Sequence, residues 1–147
     1  MTGSIRTSII INAAPAKVRD VILDFEKYAE WNPFILSISS DSADKSVGSH
    51  LKVTVKPPNR DEVHMTPHVT DNSPELFAWR GKFYFNFLFT GRHVFEFKQA
   101  ENGHDTEFLQ WEEFSGILLP FVGGVLRDTE AGFKAMNEAL KQRVESL

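Results

Sequence analysis

At 147 residues, with 41% apolar and 24% charged residues, the chain has the size and composition of one soluble globular domain with a sizeable core, spanning residues 1–147. A formal net charge of −4 with scattered Lys and Arg argues against a nucleic-acid partner, and the absence of Cys excludes disulfides, thiolate metal sites and cysteine nucleophiles. No apolar run is long enough to span a bilayer and the N-terminus lacks the regions of a signal peptide, so a cytoplasmic protein without integral membrane association is expected.

Ile5 to Ile11 reads as a first strand, and the run from Asn12 to Pro15 stops it. Pro15 suits the first turn of a helix, where its missing N–H costs nothing. Val18, Val21, Ile22 and Phe25 then fall at i, i+3, i+4 and i+7, one buried stripe. A short second helical turn holds Tyr28 and Trp31, and Asn32-Pro33 ends it because the residue before a proline is pushed towards extended geometry. Strands are expected over Phe34–Ser40, Val47–Lys56, Glu62–Thr70, Glu75–Gly81, Leu88–Lys98 and Thr106–Ser115. Pro67 marks an edge or a bulge, and Asn102-Gly103 is a hairpin signal. Short connections predict an antiparallel meander.

The chain closes with a long amphipathic helix, from about Phe121 to Val144. Val122, Val125, Leu126, Thr129, Phe133, Met136, Leu140 and Val144 form its apolar stripe; Arg127, Glu130, Lys134, Glu138 and Lys141 cover the opposite face. Gly132 lies on the stripe, where glycine costs ~1 kcal/mol relative to Ala. It provides either close approach of helix and sheet or room for a ligand. Gly123-Gly124 serves as a portal hinge or simply turns the chain into the helix.

Three segments, APAKVRDVILDFEKYAEWNPFI, then GRHVFEF with TEFLQWEEFSGILLP, then GFKAMNEALKQRVE, resemble the START / Bet v 1-like superfamily, in its polyketide cyclase/dehydrase-like branch. The resemblance covers nearly the whole chain. It implies an α+β helix-grip fold: a seven-stranded antiparallel sheet curled around the C-terminal helix, with two short helices after the first strand. It also implies an internal cavity for a small hydrophobic molecule, no cofactor, and a monomer or weak homodimer. Members of this superfamily include carriers as well as enzymes, so fold does not decide function.

The period of two places His93, Phe95 and Phe97 on one strand face and Arg92, Val94 and Glu96 on the other; the apolar face carries His93 inside. On the last strand both faces hold apolar residues. The family pattern T-x-F-x-(polar)-x-E-x-F implies that Thr106, Phe108, Gln110, Glu112 and Phe114 point inward. Relatives often carry His where Gln110 stands, which removes one general base. Histidine ordinarily titrates near 6.5, so His93 could shuttle a proton with Glu112 orienting it; the alternative is a His–Glu bond that satisfies two buried groups.

Around this pair, Trp31 would close one end of the cavity with Asn32 beside it, and Trp79 with Phe77 would form a flat wall. Phe95, Phe114, Gly132 and Met136 would complete the ligand surface. The aromatic run KFYFNFL, with Tyr84, would act as a lid or sticky patch, or as two longer strands meeting at a tight turn. His64 and His68 have the i, i+4 spacing of a helical metal pair, but along a strand they would lie about 13 Å apart, so no metal site is expected. Three functions fit: a cofactor-independent cyclase or dehydratase, a carrier for a lipid, quinone or aromatic metabolite, and a protein-interaction domain using the aromatic run.

Overall fold

Local sequence sets the entry into the fold. The computed structural model describes residues 2–84, 88–116 and 123–147, including side chains except at 2, 83, 84, 88 and 89. Strand β1 (Thr2–Ile11) leads into helix α1 (Pro15–Leu23), which begins on Pro15 and buries Val18, Val21 and Ile22. A 3-10 helix (Phe25–Glu30) follows, fixed by the Tyr28 hydroxyl donating to Ile22 O at 2.6 Å. Asn32 Oδ1 then accepts the backbone N–H groups of Phe34 and Ile35, both at 2.9 Å, and so turns the chain into β2 (Ile35–Ser40). After it come β3 (Leu51–Val55), β4 (Val63–Met65), β5 (His68–Asn72), β6 (Leu76–Tyr84), β7 (Leu88–Gln99), β8 (Thr106–Gly116) and helix α2 (Gly123–Glu145).

The expected single seven-stranded sheet is corrected by eight described strands in two antiparallel sheets, β1-β8-β7-β6-β5 and β2-β3-β4. Pro67 is the cause. It has no N–H to give a ladder, and the strand expected over Glu62–Thr70 breaks around it. The first half, β4, pairs with β3, while the second, β5, pairs with β6. A narrow seam still ties the sheets together: Leu51 N donates to Pro67 O at 2.8 Å, and Val69 N donates to Ser49 O at 2.9 Å. Gly81 admits the proline, since a Cβ there would lie 3.0 Å from Pro67 Cβ.

α2 packs against β1, β8 and α1, with Phe133, Met136, Leu140 and Val144 buried. Both sheets face it: Phe77, Trp79, Phe95, Phe97 and Phe108 come from the larger one, and Phe34, Ile38, Leu51 and Val53 from the β2 side. On β8 the residues Thr106, Phe108, Gln110, Glu112 and Phe114 are all buried, which settles the face that alternation left open. Gly123-Gly124, expected ahead of the long helix, form its first turn instead. Phe121 and Val122 lie outside the described residues. No described helix is long and apolar enough to cross a membrane.

Candidate functional site

The register of β7 with β8 sets His93 opposite Glu112 and Phe95 opposite Gln110; that of β6 with β7 sets Trp79 opposite His93. The imidazole is therefore held on both sides. Its Nδ1 lies 3.1 Å from Glu112 Oε1 and its Nε2 lies 2.9 Å from Gln110 Oε1. Trp79 stacks on the ring at 4.8 Å between centroids and 18° between planes, and the Phe95 and Phe133 rings lie at 4.8 Å as well.

The polar contacts continue into α2 and β1. Gln110 Nε2 donates to Asn137 Oδ1 at 2.8 Å, Asn137 Nδ2 donates to Thr7 Oγ1 at 2.9 Å, and Thr7 Oγ1 donates to Gln110 O at 2.7 Å. All five side chains are buried, His93 at 4% exposure and Glu112 at 2%. Buried polar groups of this kind are normally satisfied. Glu112 Oε2 is the exception: it has no hydrogen-bond partner among the described residues.

His93 and Glu112 open onto an interior cavity of about 30 Å³, walled also by Trp79, Phe114, Val125, Leu126, Phe34 and Met65. A larger groove, about 760 Å³, runs along the outer surface at the seam between the sheets and is lined by Lys52, Arg80, Lys82 and several hydroxyls. It shares only Met65 with the interior cavity. The interior cavity is lined by the buried His93–Glu112 contact, so it is the candidate site.

Of the residues expected at a ligand surface, Trp79 and Phe114 line this cavity with His93 and Glu112. Phe77, Phe95 and Met136 are buried in the surrounding packing, and Gln110 belongs to the polar chain. Trp31 packs edge-on to Tyr28 at 5.3 Å, away from the cavity lining, and its buried Nε1 has no described partner. Asn32 spends its oxygen on the turn into β2. The space facing Gly132 is filled by the Phe34 ring. The start of the aromatic run extends β6 to Tyr84, paired opposite Leu88, which is the expected alternative of longer strands, while residues 85–87 and the side chains of Phe83, Tyr84 and Leu88 lie outside the described residues. His64 and His68 fall on the separate strands β4 and β5, and His64 bonds Thr54 at 2.9 Å.

Four residues in and around the site were not anticipated. Asn137 is a polar residue four positions after Phe133 on the buried stripe, and Thr7 shares the inward face of β1 with Ile5 and Ile11; both signals were present in the periodicity. The ion pair between Arg60 Nε and Asp128 Oδ2, 2.6 Å, joins the β3–β4 loop, which gives Pro57 to the cavity wall, to α2, which gives Thr129, and nothing local announces it.

A curled antiparallel sheet over a C-terminal helix, with an apolar cavity between them, defines a helix-grip ligand-binding domain. The sequence matches over residues 2–145 the family described as polyketide cyclase / dehydrase and lipid transport, and the chain belongs to that family. Its fold is similar to that of the ZhuI aromatase/cyclase from Streptomyces sp. R1128, with a TM-score of 0.76 and 14% identity over 99% of this chain and 94% of that one. Norcoclaurine synthase from Thalictrum flavum aligns at TM-score 0.77 and 13% identity, over 100% of this chain and 88% of its own. Ara h 8.0201 aligns at TM-score 0.72 and 15% identity over 100% of both chains. These likenesses establish the fold. No curated protein sequence matches the chain.

Proposed function

We propose that residues 1–147 form one domain that binds a small apolar, partly aromatic molecule and acts on it as a cofactor-independent cyclase or dehydratase, with proton transfer at the Glu112–His93 pair. The observation that carries this reading is the unpartnered Oε2 of Glu112 at an apolar cavity. Both ring nitrogens of His93 are engaged, so the atom free to meet a ligand belongs to Glu112, and His93 serves as its proton partner. The roles suggested by the sequence are thereby exchanged.

In an aldol-type closure, Glu112 would take the hydroxyl proton of a ligand enol, which makes the enol's terminal carbon the nucleophile. That carbon would form the new bond to a second carbonyl carbon, and the proton would return to the oxygen that becomes a hydroxyl. Nothing is left over, so no cofactor is needed. Trp79 and Phe114 would hold the ligand near its attack geometry, which contributes to rate independently of acid–base strength. The family description and the names of the aromatase/cyclase and norcoclaurine synthase neighbours support this class.

The family description also includes lipid transport, which favours a carrier as the second reading. Native mass spectrometry of the full chain, incubated with an extract of its source, separates the two. The enzyme reading expects a retained molecule that is altered relative to the free pool, and unaltered when Glu112→Gln replaces wild type. A molecule retained unaltered by both proteins would establish the carrier. Retention of nothing would overturn both.

A further inference from the structure

The polar chain behind the cavity has a direction, because its polar hydrogens have few places to go. Thr7 has one hydroxyl proton, and Gln110 O, a backbone carbonyl that can only accept, lies 2.7 Å from it. Thr7 Oγ1 must therefore accept from Asn137 Nδ2 at 2.9 Å, which turns Asn137 Oδ1 towards Gln110. Gln110 answers with its Nε2, which also faces Phe133 O at 3.4 Å. The reversed amide would set oxygen against both acceptors. Gln110 Oε1 is left facing His93 Nε2 at 2.9 Å, so Nε2 carries a hydrogen.

That assignment constrains the other ring nitrogen. Nδ1 and Glu112 Oε1 lie 3.1 Å apart, and two lone pairs would repel at that distance. One proton lies between them. It sits on Nδ1, giving imidazolium and carboxylate, or on Oε1, giving neutral imidazole and carboxylic acid. Oε2 carries lone pairs and no hydrogen in both cases. Its character as an acceptor does not depend on where the shared proton rests. The hydroxyl of Thr129, which also lines the cavity, donates to Val125 O at 2.7 Å and likewise has only lone pairs to offer.

We infer that the ligand of this cavity presents a hydroxyl or N–H donor, such as a phenol or enol, to Glu112 Oε2, and that Thr7, Asn137 and Gln110 are positioning residues that hold this atom as an acceptor. The inference rests on the proposed ligand-binding role of the cavity. It narrows the ligand class: a bare hydrocarbon leaves Oε2 unpaired, and a carbonyl oxygen placed there is repelled. A site built to bond a donor discriminates strongly against an analogue that lacks it.

Calorimetric titration of the full chain with 1-naphthol and with naphthalene tests this, since the two probes differ by one hydroxyl. Wild type should bind 1-naphthol at least about tenfold more tightly. Glu112→Gln should keep that preference, because its amide nitrogen can donate to Nδ1 while its oxygen still faces the cavity. Glu112→Met should reduce it to about twofold or less, for want of any acceptor. Equal affinities in wild type would overturn the donor requirement and leave the cavity reading standing, whereas binding of neither probe would overturn both. Nitrogen-15 NMR of unliganded wild type gives a check free of any variant's folding: His93 Nε2 should carry a proton, and a bare Nε2 would overturn the assigned direction.

Discussion

The ring of Phe34 occupies the place where a side chain at Gly132 would stand. A Cβ on Gly132 would lie 2.4 Å from Phe34 Cδ1 and 2.6 Å from Cε1. The ring is 3% exposed, meets Phe133 edge-on at 5.5 Å and borders a cavity of only about 30 Å³, so it has little room to retreat. Gly132→Ala should therefore destabilise the protein by about 1–3 kcal/mol, as overpacking does. This runs against helix propensity, which alone would favour alanine by ~1 kcal/mol. Urea denaturation of the single variant and of Gly132→Ala with Phe34→Ala checks it. Alanine at 132 should cost little once the ring is gone, and a single variant as stable as wild type would show that Phe34 moves aside.

Alkaline pH should expose the burial of Tyr28. Its phenol is fully buried, and burial, with the nearby Asp24 charge, pushes its pKa far above the usual value of 10. Between the usual and the raised value, the unfolded chain has released this proton and the folded chain has kept it. Unfolding then becomes easier as pH rises, so the contribution is intact below about pH 10 and is lost above it. Tyr28→Phe should unfold less steeply with pH in that range. At neutral pH it should be less stable by about 0.5–1.5 kcal/mol for the lost bond to Ile22 O. Equal alkaline slopes for the two proteins would contradict this.

Asn137 should matter more to stability than its single side chain suggests. Asn137→Leu leaves Thr7 Oγ1 without its donor and Gln110 Nε2 without its main acceptor, at about 1–3 kcal/mol for each group left unpaired. Thr7→Val combined with Asn137→Leu should cost less than the sum of the single changes, because one unmatched group is then replaced by an apolar one. Chemical denaturation of the four proteins completes the cycle; strict additivity would mean that the two residues are not coupled.

The parts of this fold that repeat were legible in the sequence. Alternation on β7 takes His93 inward with Phe95 and Phe97, and the 3.6-residue period of α2 marks Phe133, Met136, Leu140 and Val144, all of which are buried. Pro67 was visible as an interruption, but its consequence was not: dividing one strand between two sheets depends on which partners each half finds, β3 for one and β6 for the other. Contacts between distant residues were also hidden. Nothing near Gly132 in sequence points to Phe34, and Thr7 meets Asn137 across 130 positions. At the candidate site the contact between His93 and Glu112 was legible, while the engagement of both imidazole nitrogens was not, because it turns on which atom of each partner faces the ring.

The Arg60–Asp128 pair should control how fast a ligand enters. The cavity's about 30 Å³ holds roughly one water, whereas small-molecule pockets measure roughly 300–1,000 Å³, so binding requires the walls to separate. Val55, Pro57 and Val63 wall the cavity on the β3–β4 side, and Val125, Leu126 and Thr129 wall it on α2. Arg60 joins these two sides at 2.6 Å from Asp128, with its own carbonyl held by Lys56 Nζ. Gly124 makes room for it, since a Cβ there would lie 3.1 Å from the guanidinium. The pair is partly exposed, so its loss should change stability by only about 1 kcal/mol or less. Asp128→Asn should instead raise the association and dissociation rates of 1-naphthol together, several-fold, with little change in affinity, as read by stopped-flow fluorescence. Unchanged rates would place the point of entry elsewhere, with Met65, common to the cavity and the outer groove, as the next residue to substitute.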